Sequence, residues 1–116
     1  MREEEFKELV DKLKTACESI KGKFKEEERT CVVKDKKVSV FVPLLQEGLS
    51  KEAVTARVEF PDGSIVEVDV KDIKEEENVY EDAEGRLYRE NWIKIEGKRG
   101  GVIKVSEEGK VEAWFD

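Results

Sequence analysis

Residues 3–42 read EEEFKELVDKLKTACESIKGKFKEEERTCVVKDKKVSVFV, and their rhythm decides the fold. As far as Lys21, apolar side chains return every three or four positions: Phe6, Leu9, Val10, Leu13, Cys17 and Ile20. That spacing draws one stripe along a 3.6-residue period and predicts a helix over residues 3–21. Glu8 and Lys12 stand at the favourable i, i+4 separation on the polar side. Glu3, Glu4 and Glu5 fall in the first turn and Lys21 in the last, complementing the helix dipole at both ends. Gly22 is the expected C-terminal stop. Beyond it the period drops to two. Residues 30–34 and 37–42 read as a hairpin turning at Asp35 and Lys36, with Val38, Val40 and Val42 on one face of its second strand.

The two-residue rhythm continues outward from that stretch. Pro43 cannot donate to a ladder and ends the strand, and residues 44–49 form an apolar connection. Residues 53–60 alternate Val54, Ala56, Val58 and Phe60 against Thr55, Arg57 and Glu59; Pro61-Asp62-Gly63 supplies the turn, and residues 65–70 return. Residues 71–78 read as an acidic connection. Residues 79–81 and 86–95 pair across Asp82-Ala83-Glu84-Gly85, and residues 101–106 and 110–115 pair across Glu107-Glu108-Gly109. Tight connections leave no room for crossover helices, so the sheet is antiparallel. The expected fold is one α+β domain over residues 1–116: an N-terminal amphipathic helix packed on a curved meander of about six to eight short strands.

Composition adds a chemical outline. Of 116 residues, 44% are charged, with 22 Glu and 16 Lys, one Gln, two Asn and no His. Many Lys and Glu with few amide side chains point to a source that grows at high temperature, where ionic hydration weakens and amides are lost. No run approaches the roughly 18 apolar residues of a membrane helix, and Met1-Arg2-Glu3-Glu4-Glu5 does not resemble a signal peptide. A soluble, cytoplasmic protein is expected. The net charge of −7 disfavours nucleic acid as a partner. It is also localised: residues 61–92 hold 4 basic and 11 acidic side chains, which accounts for the whole excess.

The absence of histidine removes Ser-His-Asp and Cys-His catalysis and histidine-ligated metals. The glycines lie between strands rather than between a strand and a helix, so they do not form a phosphate-binding loop. Cys17 and Cys31 have three readings: two buried thiols, a disulfide tying helix to first strand, or a reactive thiol. Two cysteines with no other suitable ligands do not close a zinc site. Asp82 and Glu84 ahead of Gly85 give only a fragment of a calcium loop, because Tyr80 occupies the place of the first ligand. No cofactor or metal is expected.

What remains is surface. Asp72, Glu75, Glu76, Glu77, Glu81, Asp82 and Glu84 crowd one connection and one hairpin, either as a solvated face or as a patch that steers a basic partner. Tyr88 and Trp92 share a strand face with Glu90 and Lys94, and Trp114 shares one with Lys110 and Glu112. Both tryptophans should therefore project from the polar side, covered by residues 44–49 or a second layer, or else exposed as anchors of a binding surface. Lys94, Lys98, Arg99, Lys104 and Lys110 make a modest basic area, offset by Glu96, Glu107, Glu108 and Glu112. The reading that follows is a non-enzymatic protein-binding or adaptor module that offers its acidic hairpin and aromatics to a basic protein or to another copy of itself. The alternative is a small-ligand binder or enzyme using carboxylates in a pocket between helix and curved sheet.

Overall fold

The apolar stripe becomes helix α1 (Arg2–Ser19) in the computed structural model, which describes residues 2–42 and 54–115. Leu9, Leu13, Ala16, Cys17 and Ile20 on that stripe are buried. The helix closes one residue earlier than Gly22 would place it. Lys21 takes the left-handed conformation (φ 62°). Its N–H bonds the Glu18 carbonyl at 3.1 Å while the Gly22 N–H reaches the Cys17 carbonyl at 2.9 Å. This is the paired-bond ending usually built on a glycine. Lys21 thus lies beyond the helix rather than in its last turn.

Gly22 is needed for closeness instead. A Cβ at that position would stand 2.8 Å from Cys31 Sγ, 2.9 Å from Cys17 Sγ and 3.0 Å from Val33 Cγ2. The two cysteines are joined as a disulfide beneath it, with Cα atoms 5.8 Å apart.

Eight strands follow among the described residues: β1 (Lys23–Lys25), β2 (Thr30–Val33), β3 (Lys36–Phe41), β4 (Thr55–Glu59), β5 (Ile65–Glu81), β6 (Leu87–Gly97), β7 (Val102–Ser106) and β8 (Val111–Trp114). They form one sheet in chain order, every neighbouring pair antiparallel. The sheet is open, with β1 and β8 at its edges. It is curved enough that a Cβ at Gly109, in the β7–β8 turn, would lie 3.1 Å from the side chain of Lys34 in the β2–β3 turn.

Three expectations about the strands change. Lys23–Lys25 is a short edge strand pairing with β2, where no strand was anticipated. The first long hairpin turns at Lys34 and Asp35, because Lys34 accepts a positive φ of 55° and Lys36 already pairs with Val33. Residues 71–78 are not a connection: they are the middle of β5, a 17-residue strand with a register shift between Val70 and Asp72. A run of Lys74, Glu75, Glu76, Glu77 and Asn78 has little intrinsic preference for a strand. Pairing with β6 supplies what propensity lacks, placing Lys94 near Glu76 and Arg89 near Glu77 across the ladder. The apolar connection expected over residues 44–49 lies outside the described residues.

Register assigns the faces. Rows such as Val38–Val58–Val66 and Ile73–Ile95–Ile103 share the helix side. Val38, Val58, Ile73, Ile95 and Ile103 are buried with the helix stripe in one core cluster. The bulged residue after Val70 lets both Val70 and Ile73 turn inward although they are three positions apart.

Candidate functional site

The expected acidic surface is built on a ribbon. β4 pairs with β5 only as far as Asp69, and β7 pairs with β6 only from Trp92 onward. The Glu107 N–H still reaches the Asn91 carbonyl at 3.1 Å; beyond it, among the described residues, residues 78–81 and 87–90 pair only with each other, as a two-stranded arm continuing past the layer. The molecule measures 60 × 31 × 31 Å along its principal axes. Asp82 closes the tip. Its Oδ1 accepts the N–H groups of Glu84 and Arg86, both at 2.9 Å, and its Oδ2 accepts Arg86 Nε at 3.2 Å. Arg86 also binds Glu84. These bonds make Asp82 and Glu84 turn-forming residues, with their oxygens directed into the turn. Among the described residues no three His, Cys, Asp or Glu side chains converge as a metal site requires.

The arm carries uncovered apolar groups on both faces. Val79 and Leu87 lie on the helix-side face, 55% and 72% exposed. Tyr80 and Tyr88 stand opposite each other on the far face, their rings stacked with centroids 5.3 Å apart. Glu77, which pairs with Arg89 at 3.7 Å, and Glu81 lie with Val79 and Leu87 on the helix-side face. Strand alternation divides the run Glu75-Glu76-Glu77: Glu75 and Glu77 share the helix side, whereas Glu76 is on the other face.

At the base of the arm the acidic residues are structural. Asp72 accepts Lys12 Nζ of α1 at 2.7 Å and the Ile73 N–H at 2.8 Å. The Lys12 bond foremost holds its carboxyl below the ordinary aspartate range. Glu76 is bonded to Lys104 and lies 3.8 Å from Lys94. The bond from Lys104 likewise keeps its carboxyl below the usual glutamate range. Lys94 and Lys74 continue the network to Glu96 at 3.6 and 3.4 Å.

This network separates the fates of the two tryptophans. Both occupy the face remote from the helix, as alternation requires: Trp92 in the row Glu76–Trp92–Ser106 and Trp114 beside Val102. Trp92 is only 3% exposed, with the Lys104 ammonium 4.9 Å from its ring centroid. Its buried indole N–H has no partner within ordinary hydrogen-bond geometry among the described residues. Trp114, on edge strand β8, is 53% exposed. The two do not form one patch.

A second carboxylate group lies nearby. Burial pushes the Glu90 carboxyl up, but bonding to Glu108 and the Lys110 ammonium, 3.5 Å away, together bring it below its usual range. Glu108, hydrogen-bonded to and repelled by Glu90, is raised.

Two hollows accompany these surfaces. One, of about 430 Å³, runs between α1 at Asp11, Lys12 and Thr15 and β5 at Asp72, Ile73, Lys74 and Glu75, the place where helix and sheet were expected to hold a pocket. Apart from Ile73 the residues lining it are polar or charged, and the Lys12–Asp72 pair lies across it. The other, of about 500 Å³, lies on the helix-remote face of β3–β5 against the β6–β7 turn. Reading the sequence did not anticipate it, because its walls come from five separate segments. No helix among the described residues is long and apolar enough to cross a membrane. No family model, curated protein or solved structure matches the chain.

Proposed function

We propose that this chain is a protein-binding module that engages its partner through the β5–β6 arm, and that the partner offers a basic segment with apolar side chains. The single supporting observation is the arm itself: a paired ribbon beyond the packed layer, with Val79, Tyr80, Leu87 and Tyr88 uncovered amid a surplus of carboxylates. A two-stranded hairpin alone in water is marginally stable. Large side chains left in solvent at its tip add nothing to the fold, but become favourable once a partner covers them. The acidic surround selects for positive charge and accelerates encounter.

The test is selection from a displayed library of random peptides, followed by residue-resolved NMR titration of the full chain. Enrichment of Lys and Arg together with aromatic or aliphatic residues is expected, with the largest shifts on residues 79–81 and 87–89. Affinity should fall about tenfold (1.4 kcal/mol) on Leu87→Ser and decline with added salt. Enrichment of acidic peptides, or shifts centred away from the arm, would contradict the reading. The composition also supports a thermophilic source for the chain, since the Glu76–Lys94–Glu96–Lys74 network is of a kind whose desolvation cost falls with temperature.

A further inference from the structure

The hollow beside the β6–β7 turn has the makings of a ligand site separate from the arm. Its floor is the helix-remote face of β3, β4 and β5, where register aligns Phe41, Thr55 and Asp69 in one row and Arg57 with Glu67 in another. Its wall is the turn from Gly97 to Gly101, drawn over β5 by a bond from the Lys98 N–H to the Asp69 carbonyl at 2.8 Å. Phe115 closes the far side, its ring 3.4 Å from where a Cβ of Gly101 would stand. The volume, about 500 Å³, lies within the range of roughly 300–1,000 Å³ that small-molecule sites occupy.

Charge is distributed unevenly in this hollow. Arg57 is bound to Glu67 at 3.0 Å, and its guanidinium lies 4.7 Å from the Phe41 ring centroid. Asp69 is engaged as well. Lys98 and Arg99, both exposed at the rim, have no ion pair among the described residues. Among the described residues these two cations are thus unpaired, on a molecule whose net charge is −7. Two aromatic rings, Phe41 and Phe115, flank the space these cations overlook.

The geometry points to a binding site for a small carboxylic acid with a flat apolar body. The carboxylate meets Lys98 and Arg99, where charge-assisted bonds are strongest, and the body lies between Phe41 and Phe115 beside the Arg57 guanidinium. A cation of the same shape meets Lys98 and Arg99 at the rim, while the Glu67 and Asp69 carboxylates in the hollow are already engaged. This inference does not depend on the arm's role.

Isothermal titration calorimetry on the full chain tests it, with naphthoate as probe and naphthylmethylamine as the same ring carrying the opposite charge. Naphthoate should bind saturably, at least about tenfold more tightly than the amine, a difference of about 1.4 kcal/mol. Lys98→Glu with Arg99→Glu, two exposed turn positions that spare the core, should weaken naphthoate about tenfold or more. Phe115→Ala should weaken both probes. Amide shifts on naphthoate addition should centre on Thr55, Gly97 and Gly101. Failure of naphthoate to saturate, equal affinity for the amine, indifference to the charge reversal, or shifts confined elsewhere would each overturn the proposal. Peptide binding at the arm, measured on the same charge-reversed variant, should persist and so keeps the two readings separable.

Discussion

At Gly22 three chain segments come within a methyl group of one another: the end of α1 with Cys17, the start of β1, and β2 with Cys31 and Val33. An added Cβ has two sulfurs and a valine methyl in its way, and none of the three is the loose end of a long side chain. Gly22→Ala should therefore cost about 1–3 kcal/mol in urea unfolding. Replacing both cysteines by serine should cost about 3 kcal/mol, the entropy of closing a loop of this length. The same scale decides a pH effect. Asp72 and Glu76 have depressed pKa values, so their contribution is complete above the ordinary carboxylate range and is lost as pH falls through the depressed values. Glu108 works oppositely. Its raised pKa means the folded state holds the proton longer, and stability declines as pH rises from the ordinary glutamate value to the raised one. Glu108→Gln should accordingly raise the unfolding midpoint at neutral pH, with the gain disappearing below about pH 4. A midpoint unchanged at neutral pH would contradict the Glu90–Glu108 coupling.

Among the elements, β5 shows how far a sequence can be read. The helix was legible because its stripe is one-sided. β2 to β4 and β6 to β8 were legible because one side of each carries apolar residues on the core. β5 was legible at its two ends, residues 65–70 and 79–81; between them Ile73 is the lone apolar side chain, so residues 71–78 lose the alternation that announces a strand. Their strand character comes from β6, which is distant information. β1 was missed for a similar reason, since Lys23 and Lys25 flank a single apolar Phe24. The candidate acidic residues were legible as a group, but their division was not: Asp72 and Glu76 are tied to lysines of other elements, whereas Glu77 and Glu81 belong to the arm. Trp92 and Trp114 were placed on the right face by alternation, and only the Lys104 contact and the edge position of β8 separate them. The arm's dependence on its own turn yields a prediction at this scale. Gly85 has φ 83° and Asp82 organises the tip. Asp82→Ala with Gly85→Ala should abolish the Tyr80–Tyr88 ring contact seen by NMR, as a left-handed alanine alone costs about 1–2 kcal/mol. The thermal midpoint of the whole chain should stay within error, because the arm contributes nothing to the core. A large fall in that midpoint would mean that the arm is part of the packed layer.

As a whole molecule, the chain combines two regimes. A helix and the curved part of the sheet enclose one core whose buried members run from Leu9 to Val105, while the ribbon beyond them keeps its ladder with apolar groups in solvent. Free-energy differences between such regions appear as differences in local opening. Residue-resolved amide hydrogen exchange on the free full-length chain measures them directly. Val70, Ile95 and Ile103 should exchange only with global unfolding, whereas paired amides of residues 78–81 and 87–90 should exchange at least about a hundredfold faster. Uniformly slow exchange through the arm, matching that of the core, would show that the ribbon is already covered in the free protein, and the account of an arm held ready for a partner would be wrong.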